Sequence, residues 1–267
     1  MLITRLLTAL IILPLVLAAI LFLSPLYFAM FVGLAILVGA WEWSALAGIE
    51  KSSLRLLYVA LVLFCLFLPA AVPIFALLSI AVFVLCWMLI AIISYQREGG
   101  GAGFQIRFVR GMIGIIVLVA TWVSVVTLKS NPQFGPTWLI LIVLIVAGAD
   151  VGAYFAGKFF GKKLLCSRVS PKKTWEGFFG GLCLSALIAC IGGFFLKLSI
   201  AHYLFFLCLS VITALFSVVG DLAESLLKRI VNIKDSGVIF PGHGGMLDRL
   251  DSLSAASIVF VFGMMLL

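Results

Sequence analysis

The sequence predicts an all-α, polytopic membrane protein with about nine transmembrane helices in one domain, residues 1–267. The mean hydropathy is +1.34 and 65% of the residues are hydrophobic, whereas a soluble domain is usually about half apolar. Only 10% of the residues are charged. Apolar stretches of about 20 residues, long enough to cross a hydrocarbon core of roughly 30 Å, recur along the whole chain.

Hydropathy windows place the predicted spans in chain order. They cover residues 4–23, 26–46, 54–70, 73–95, 110–128, 137–157, 175–196, 201–229 and 252–267. Prolines at 25, 69 and 73 mark tight turns, and the glycines of 99–103 mark a flexible loop. Only Arg5 precedes the first apolar run and no small-residue cleavage site follows it, so this run is predicted to be a span rather than a signal peptide.

The basic residues predict the orientation. With the N-terminus in the cytoplasm and the C-terminus outside, 16 of the 18 basic residues face the cytoplasm, the exceptions being Lys129 and Lys197. Orientation and attraction to anionic lipid headgroups are expected to explain about half of the net charge of +8, and no nucleic-acid partner is expected. All ten acidic residues fall on the same side. The orientation of the protein in the membrane does not require these acidic residues. Ionisable groups at the ends of spans indicate a functional site.

Polar residues at helical spacing end the eighth span. Asp221, Ser225 and Lys228 are four and three positions apart, which places them on one helical face. About 29 residues at 1.5 Å each give roughly 44 Å, so the last turns leave the bilayer and Asp221 lies near its inner boundary. A solvated helix end is the alternative explanation for Lys228, and it suits Asp221 less well because Asp221 is flanked by valine and leucine.

A loop rich in glycine follows, up to Asp251. Its glycines allow close approach of the backbone to a ligand. His243 lies among them, and ligand contact and a structural role are equally open for it. Asp248 and Asp251 are three positions apart at the start of the ninth span. One explanation is that these negative charges stabilise the positive end of the helix dipole at the N-terminus of the span. The other is that they form a magnesium site with Asp221, because Mg²⁺ binds one or two carboxylates plus substrate phosphates.

A third polar segment runs from Asp150 to Gly177. Asp150, Tyr154 and Lys158 recur every four residues on one face of the sixth span. A basic stretch follows, and topology alone would explain several of its lysines. Ser170 is predicted to cap the next helix, with Pro171 in its first turn. Gly177 and Gly181, four apart, are predicted to let two helices pack closely.

These acidic and basic residues together favour a phosphoryl-transfer type of reaction. Carboxylates suit a divalent cation and basic residues suit phosphates, while the GxSxG, HExxH and P-loop motifs are absent from the sequence. Phosphoryl transfer asks a protein for positioning and charge neutralisation rather than for a nucleophile. A site at the cytoplasmic boundary of the bilayer would take a nucleoside triphosphate and a membrane lipid.

Residues 225–251 resemble the C-terminal signature of the phosphatidate cytidylyltransferases, also called CDP-diacylglycerol synthases. The matching positions are Ser225, Lys228-Arg229, Lys234-Asp235, Pro241-Gly242-His243-Gly244-Gly245 and Asp248-Arg249-Leu250-Asp251. The segment from Asp150 to Gly177 is similar to the same family through Asp-x-x-Ala-Tyr-x-x-Gly-Lys and Ser-Pro-Lys-Lys-Thr-x-Glu-Gly. The first 140 residues resemble the family only in their general hydrophobic character.

The resemblance implies cytidylyl transfer from CTP to phosphatidic acid, giving CDP-diacylglycerol and pyrophosphate in phospholipid synthesis. It also implies a homodimer in the bacterial inner membrane, with Mg²⁺ as cofactor and a second cation left open. Residues 1–130 would be mainly scaffold, and 137–267 would carry the site facing the cytoplasm. The implied catalytic residues are Asp221, Asp248, Lys228 and Lys234, and the implied metal ligands are Asp221, Asp248 and Asp251. Substrate would bind Lys158, Lys172, Lys173, Ser225, Arg229, His243 and Arg249.

Two alternatives remain. Another polytopic lipid phosphotransferase or kinase is disfavoured, since the aspartate arrays of the CDP-alcohol phosphotransferases and the prenyl-phosphate sugar transferases are missing from the sequence. An anion transporter usually shows inverted repeats with broken helices in both halves, and no such repeat is visible. Glu42, at the cytoplasmic edge of the second span, is expected to brace the site.

Overall fold

The computed structural model describes residues 13–132, 135–233, 235–237, 239 and 244–266. These residues form nine α-helices and one short β-hairpin. The helices are α1 (Leu13–Phe22), α2 (Pro25–Leu46), α3 (Ser52–Cys65), α4 (Ile74–Glu98), α5 (Arg107–Ser130), α6 (Gly135–Phe160), α7 (Trp175–Phe195), α8 (Ile200–Ile230) and α9 (Leu247–Met264). The strands β1 (Leu164–Cys166) and β2 (Ser170–Thr174) lie between α6 and α7.

Six of these helices are long and apolar enough to cross a membrane, which agrees with the predicted helical membrane protein. They are α2, α4, α5, α6, α7 and α8. The described part of α1 and helix α3 are shorter, and α9 has 18 residues with three charged side chains near its start. Residues 4–12 of the first predicted span lie outside the described residues. Nine spans and their orientation therefore stay predictions.

Contacts between helix ends show that the helices alternate in direction. At one end of the bundle, Tyr58 Oη donates to the Gly111 carbonyl over 2.9 Å and Gln96 Nε2 donates to Ser167 Oγ over 3.1 Å. At the other end, Lys129 Nζ donates to the carbonyl of Ile20. The first of these ends also holds the C-termini of α2, α6 and α8 and the start of α9. It carries the charged residues described below and is called the polar end.

Helices α6 and α7 pack with their backbones in close contact. A Cβ atom on Gly177 would lie 2.8 Å from the Ala153 carbonyl oxygen, and one on Gly181 would lie 2.5 Å from that of Ala149. Real Cβ atoms do not approach carbonyl oxygens this closely, so only glycine fits at these two positions without movement of a helix. The close packing predicted for these two glycines is confirmed.

The β-hairpin is a small addition to the predicted helical fold and corrects one expectation. Leu164 pairs with Thr174 and Cys166 with Ser170 in an antiparallel ladder. Ser170 therefore begins a strand instead of capping α7. Thr174 is the cap: its backbone is extended and its Oγ1 accepts a hydrogen bond from the Gly177 N–H over 3.1 Å. Both residue types cap helices well, and strand pairing with β1 decides which one does.

Candidate active site

Lys228 lies between two carboxylates where α8 meets α9. Its Nζ atom is 2.7 Å from Asp248 Oδ1 and 3.2 Å from Glu224 Oε1. The lysine side chain is 14% exposed and the glutamate side chain 3%. The helices approach closely at Gly220, where a Cβ would lie 3.0 Å from Ala255 Cβ. This small residue lets the first turn of α9 reach the last turns of α8.

The second oxygen of Asp248 binds the loop that precedes α9. Asp248 Oδ2 accepts hydrogen bonds from the Gly245 N–H over 2.7 Å and from Ser236 Oγ over 2.9 Å. The Ser236 N–H also donates to it over 3.3 Å. Both carboxylate oxygens of Asp248 therefore have partners, and its position depends on Lys228 and on the loop together.

Glu42 of α2 completes this network from the N-terminal half. The side chain is buried and accepts hydrogen bonds from the Met246 N–H over 2.9 Å and from the Leu247 N–H over 2.8 Å. It also accepts from Ser236 Oγ over 3.2 Å, the hydroxyl that donates to Asp248. The first N–H groups of a helix lack partners within the helix, and a carboxylate there is favourable. The expected contact of Glu42 with the site is observed.

Asp221 forms a second centre with the hairpin. Its Oδ2 lies 2.5 Å from Lys173 Nζ, and Ser225 Oγ is 3.5 Å from its Oδ1. Asp150 of α6 lies nearby and interacts electrostatically with Asp221, Lys173 and Arg249. The hairpin thus brings a basic residue from between α6 and α7 onto the carboxylate that the sequence predicts as a metal ligand.

The two centres are joined into one row of carboxylates. Asp251 interacts electrostatically with Asp221 and Glu224, and Glu224 interacts in turn with Asp248. We call Asp150, Asp221, Asp251, Glu224 and Asp248 the carboxylate row. Lys173 pairs with Asp221 and Lys228 with Asp248, and Arg249 interacts electrostatically with Asp150. The row thus has five carboxylates and three basic groups. Burying a carboxylate without a compensating charge costs free energy of folding.

The carboxylate row includes all three predicted metal ligands. Among the described residues, no three His, Cys, Asp or Glu side chains converge closely enough to enclose a metal ion by themselves. Magnesium does not require such a cage, because it is usually bound by one or two carboxylates together with substrate phosphates. The row therefore offers carboxylate oxygens that are compatible with one divalent cation.

A cavity of about 210 Å³ adjoins Asp221 and is bounded by α6, the hairpin, α7 and α8. Its polar lining includes Asp150, Tyr154, Lys172 and Lys173, and its apolar lining includes Leu165, Phe178 and Val218. Burial raises the pKa of the nearby Cys166 thiol, although Lys173 opposes the shift. A protonated thiol is a poor nucleophile, so Cys166 is not suited to covalent catalysis.

The remaining predicted residues are distributed unevenly around this site. Arg229 Nε donates to the Val169 carbonyl over 3.3 Å, which ties α8 to the hairpin turn. Lys158 is exposed on α6, with Nζ 5.8 Å from the centre of the Tyr154 ring. Lys172 is exposed at the cavity. Lys234 and His243 lie outside the described residues.

Two carboxylates of the row have no role in the sequence-based site. Glu224 precedes Lys228 by four residues, a spacing at which helical side chains meet, and this signal could have identified it. Asp150 follows the glycine and alanine of a helix that packs closely against α7, and its proximity to Asp221 depends on how α6 and α8 are placed. Only the tertiary structure shows that contact.

Comparisons with known proteins agree with the site. The sequence model of the cytidylyltransferase family matches residues 3–267. The chain is 39% identical over 258 residues to a phosphatidate cytidylyltransferase of Pseudomonas aeruginosa, covering 96% of this chain and 94% of that protein. It is 33% identical over 275 residues to one of Haemophilus influenzae, covering 94% of each. An apolar helical bundle, a carboxylate row contacted by basic residues and a match along almost its whole length show that this chain belongs to the cytidylyltransferase family.

Proposed function

We propose that this protein transfers a cytidylyl group from CTP to phosphatidic acid, forming CDP-diacylglycerol and pyrophosphate. The observation that carries the proposal is the carboxylate row with Lys173 and Lys228, at the polar end of an apolar helical bundle. This site combines carboxylates that can bind a cation with lysines that can bind phosphates, and a lipid can reach it from the bilayer. Relatives that match almost the whole chain are named for this activity.

The reaction needs positioning more than proton transfer. A phosphate oxygen of phosphatidic acid attacks the α-phosphorus of CTP and forms a new P–O bond. The bond from the α-phosphorus to the bridging oxygen breaks, and its electron pair leaves with pyrophosphate. The attacking oxygen is already ionised at neutral pH, so a general base is not needed. Lys228, Arg229, Lys234 and Arg249 are proposed to hold phosphates, and Lys173 to neutralise charge beside Asp221.

Asp221 and Asp248 are proposed to hold Mg²⁺, with Asp251 in support. All three belong to the carboxylate row, and carboxylate oxygens are suitable ligands for Mg²⁺. When bound, the ion would supply positive charge that neutralises the substrate phosphates. Lys173 and Lys228, which pair with Asp221 and Asp248, are then available to contact phosphate oxygens.

The protein is proposed to be a homodimer in the bacterial inner membrane with its site facing the cytoplasm. The distribution of basic residues supports the orientation, since 16 of 18 fall on the side assigned to the cytoplasm. The named relatives are bacterial. Cysteine accessibility to a membrane-impermeant thiol reagent at the two ends of the bundle checks the orientation, and light scattering of purified protein checks the dimer.

The decisive experiment uses purified protein, phosphatidic acid and CTP labelled with ³²P at either the α or the γ position. Cytidylyl transfer places the α label in the chloroform phase and leaves the γ label in water. A lipid kinase would do the opposite. The reaction is run with Mg²⁺ and with a chelator. Label from γ-³²P CTP in the lipid, or no lipid label from folded protein, would refute the proposed reaction.

A further inference from the structure

The cavity beside Asp221 extends to the outer surface of the helices. Tyr154 lines it and is 61% exposed. Exposed aromatic side chains surround this point, including Phe155 on α6 and Trp175 and Phe179 on α7. Trp175 and Phe179 stack with their ring centres 6.1 Å apart. Trp and Tyr side chains, such as Trp175 and Tyr154, are enriched where a membrane protein crosses the boundary between hydrocarbon and water. The cavity therefore has one side at the level of lipid headgroups.

The size of the cavity limits its occupant. Its volume of about 210 Å³ is below the roughly 300–1,000 Å³ typical of pockets that enclose drug-sized ligands. A complete nucleoside triphosphate is a ligand of that larger class. A phosphate monoester on a glycerol backbone is much smaller. Apolar side chains such as Leu165 and Phe178 on the walls also suit the glycerol and the first methylenes of a lipid.

The charges of the cavity point to an anion held next to the reacting centre. Lys172 and Lys173 both line it, against the single carboxylate of Asp150. Lys173 contacts Asp221, so an anion between the two lysines lies beside the proposed metal ligand. The Lys228–Asp248 pair is on the other side of the carboxylate row, where α8 meets α9.

We infer that this cavity is the subsite for the phosphate monoester headgroup of the lipid substrate, with the acyl chains leaving past Tyr154 into the bilayer. The assignment rests on the proposed function. The nucleotide then binds on the Lys228 side of the row. The attacking phosphate oxygen and the α-phosphorus would then meet at the row, with the pyrophosphate leaving on the side of the phosphorus opposite to the attacking oxygen, as in-line displacement requires.

The first test compares Lys172→Gln with Lys163→Gln. Both substitutions remove one positive charge from an exposed lysine of the same segment, but only Lys172 lines the cavity. Initial rates are measured in mixed micelles, varying phosphatidic acid at saturating CTP and then the reverse. Lys172→Gln should raise the KM for phosphatidic acid about tenfold, the effect of losing one charged hydrogen bond, with the KM for CTP unchanged. Lys163→Gln should change neither.

A second test fills the cavity without changing charge. Ala153 lines it, so Ala153→Leu should also raise the KM for phosphatidic acid selectively. Val151→Leu adds volume on the same helix at an exposed position and serves as the control. Gel filtration and thermal unfolding of each variant show whether it is folded.

The outcomes separate this inference from the proposed reaction. Wild-type protein that forms no CDP-diacylglycerol contradicts the reaction itself. If the wild type is active but Lys172→Gln raises the KM for CTP instead, or raises both KM values equally, the subsite assignment is wrong. It is also wrong if folded Lys172→Gln and Ala153→Leu proteins both keep the wild-type KM for phosphatidic acid.

Discussion

The Glu42 carboxylate accepts a hydrogen bond from the Leu247 N–H over 2.8 Å, although the two residues are 205 positions apart. The contact joins α2 to the first turn of α9, which carries Asp248. A span predicted mainly as scaffold thus contributes a buried side chain to the support of the candidate site. Gly237 and Gly245 lie against this carboxylate, and a Cβ on either glycine would collide with it.

Replacing Glu42 by Gln should weaken both activity and stability. The amide nitrogen would face N–H donors, so at least one of the Met246 and Leu247 N–H groups would lose its acceptor, at a cost of about 1–3 kcal/mol. We expect a lower melting temperature and at least about a tenfold loss of turnover, measured by thermal unfolding and lipid labelling. Glu50→Gln is the control, because Glu50 is 86% exposed. Wild-type turnover in folded Glu42→Gln protein would show that this contact does not support the site.

Asp248→Asn should abolish cytidylyl transfer while the protein still inserts and folds. The substitution removes a carboxylate that pairs with Lys228 and accepts from Gly245 and Ser236. It also removes a proposed magnesium ligand, and variants of such ligands lose most metal-dependent activity. Turnover is measured across a range of Mg²⁺ concentrations, with Glu98→Gln, an exposed position at the end of α4, as the control. Turnover like that of the wild type at every Mg²⁺ concentration would contradict the metal assignment.

Lys228→Met should destabilise the protein, and Glu224→Gln should partly reverse the loss. Without Lys228, two mostly buried carboxylates lack their partner, which costs about 3–5 kcal/mol. Neutralising Glu224 removes one of those charges, so the double variant should melt at a higher temperature than Lys228→Met alone. Activity should stay absent in both variants, since the proposed phosphate contact is missing. Equal melting temperatures of the single and double variants would contradict the coupling.

Gln96→Ala should slow the reaction without unfolding the protein. Gln96 holds the hairpin turn through two hydrogen bonds: its Nε2 donates to Ser167 Oγ over 3.1 Å and its Oε1 accepts from the Arg168 N–H over 3.0 Å. Two exposed bonds of about 0.5–1.5 kcal/mol each predict a several-fold rise in the KM for phosphatidic acid and a small change in melting temperature. The matched control is Gln105→Ala, which breaks only a bond to the Gly100 carbonyl. An unchanged KM would show that the turn does not need this clamp.

The helical membrane fold and the grouping of polar residues on α8 could be predicted from the sequence. Composition and the length of apolar stretches are local properties, and a bilayer requires that backbone groups crossing it be paired within helices. The spacing of Asp221, Ser225 and Lys228 likewise places them on one helical face, and the structure has Ser225 Oγ 3.5 Å from Asp221 Oδ1. The close helix packing at Gly177 and Gly181 could also be predicted from their spacing, and the structure confirms it.

Which distant side chains meet depends on how the helices and the hairpin pack. Ser170 and Thr174 are both good helix caps, and the pairing of β1 with β2 selects Thr174. Asp150 joins the carboxylate row because α6 packs beside α8, and Glu42 reaches α9 across most of the chain. Contacts between segments far apart leave no periodic signal in the sequence, because they arise from how whole helices pack rather than from the spacing of neighbouring residues.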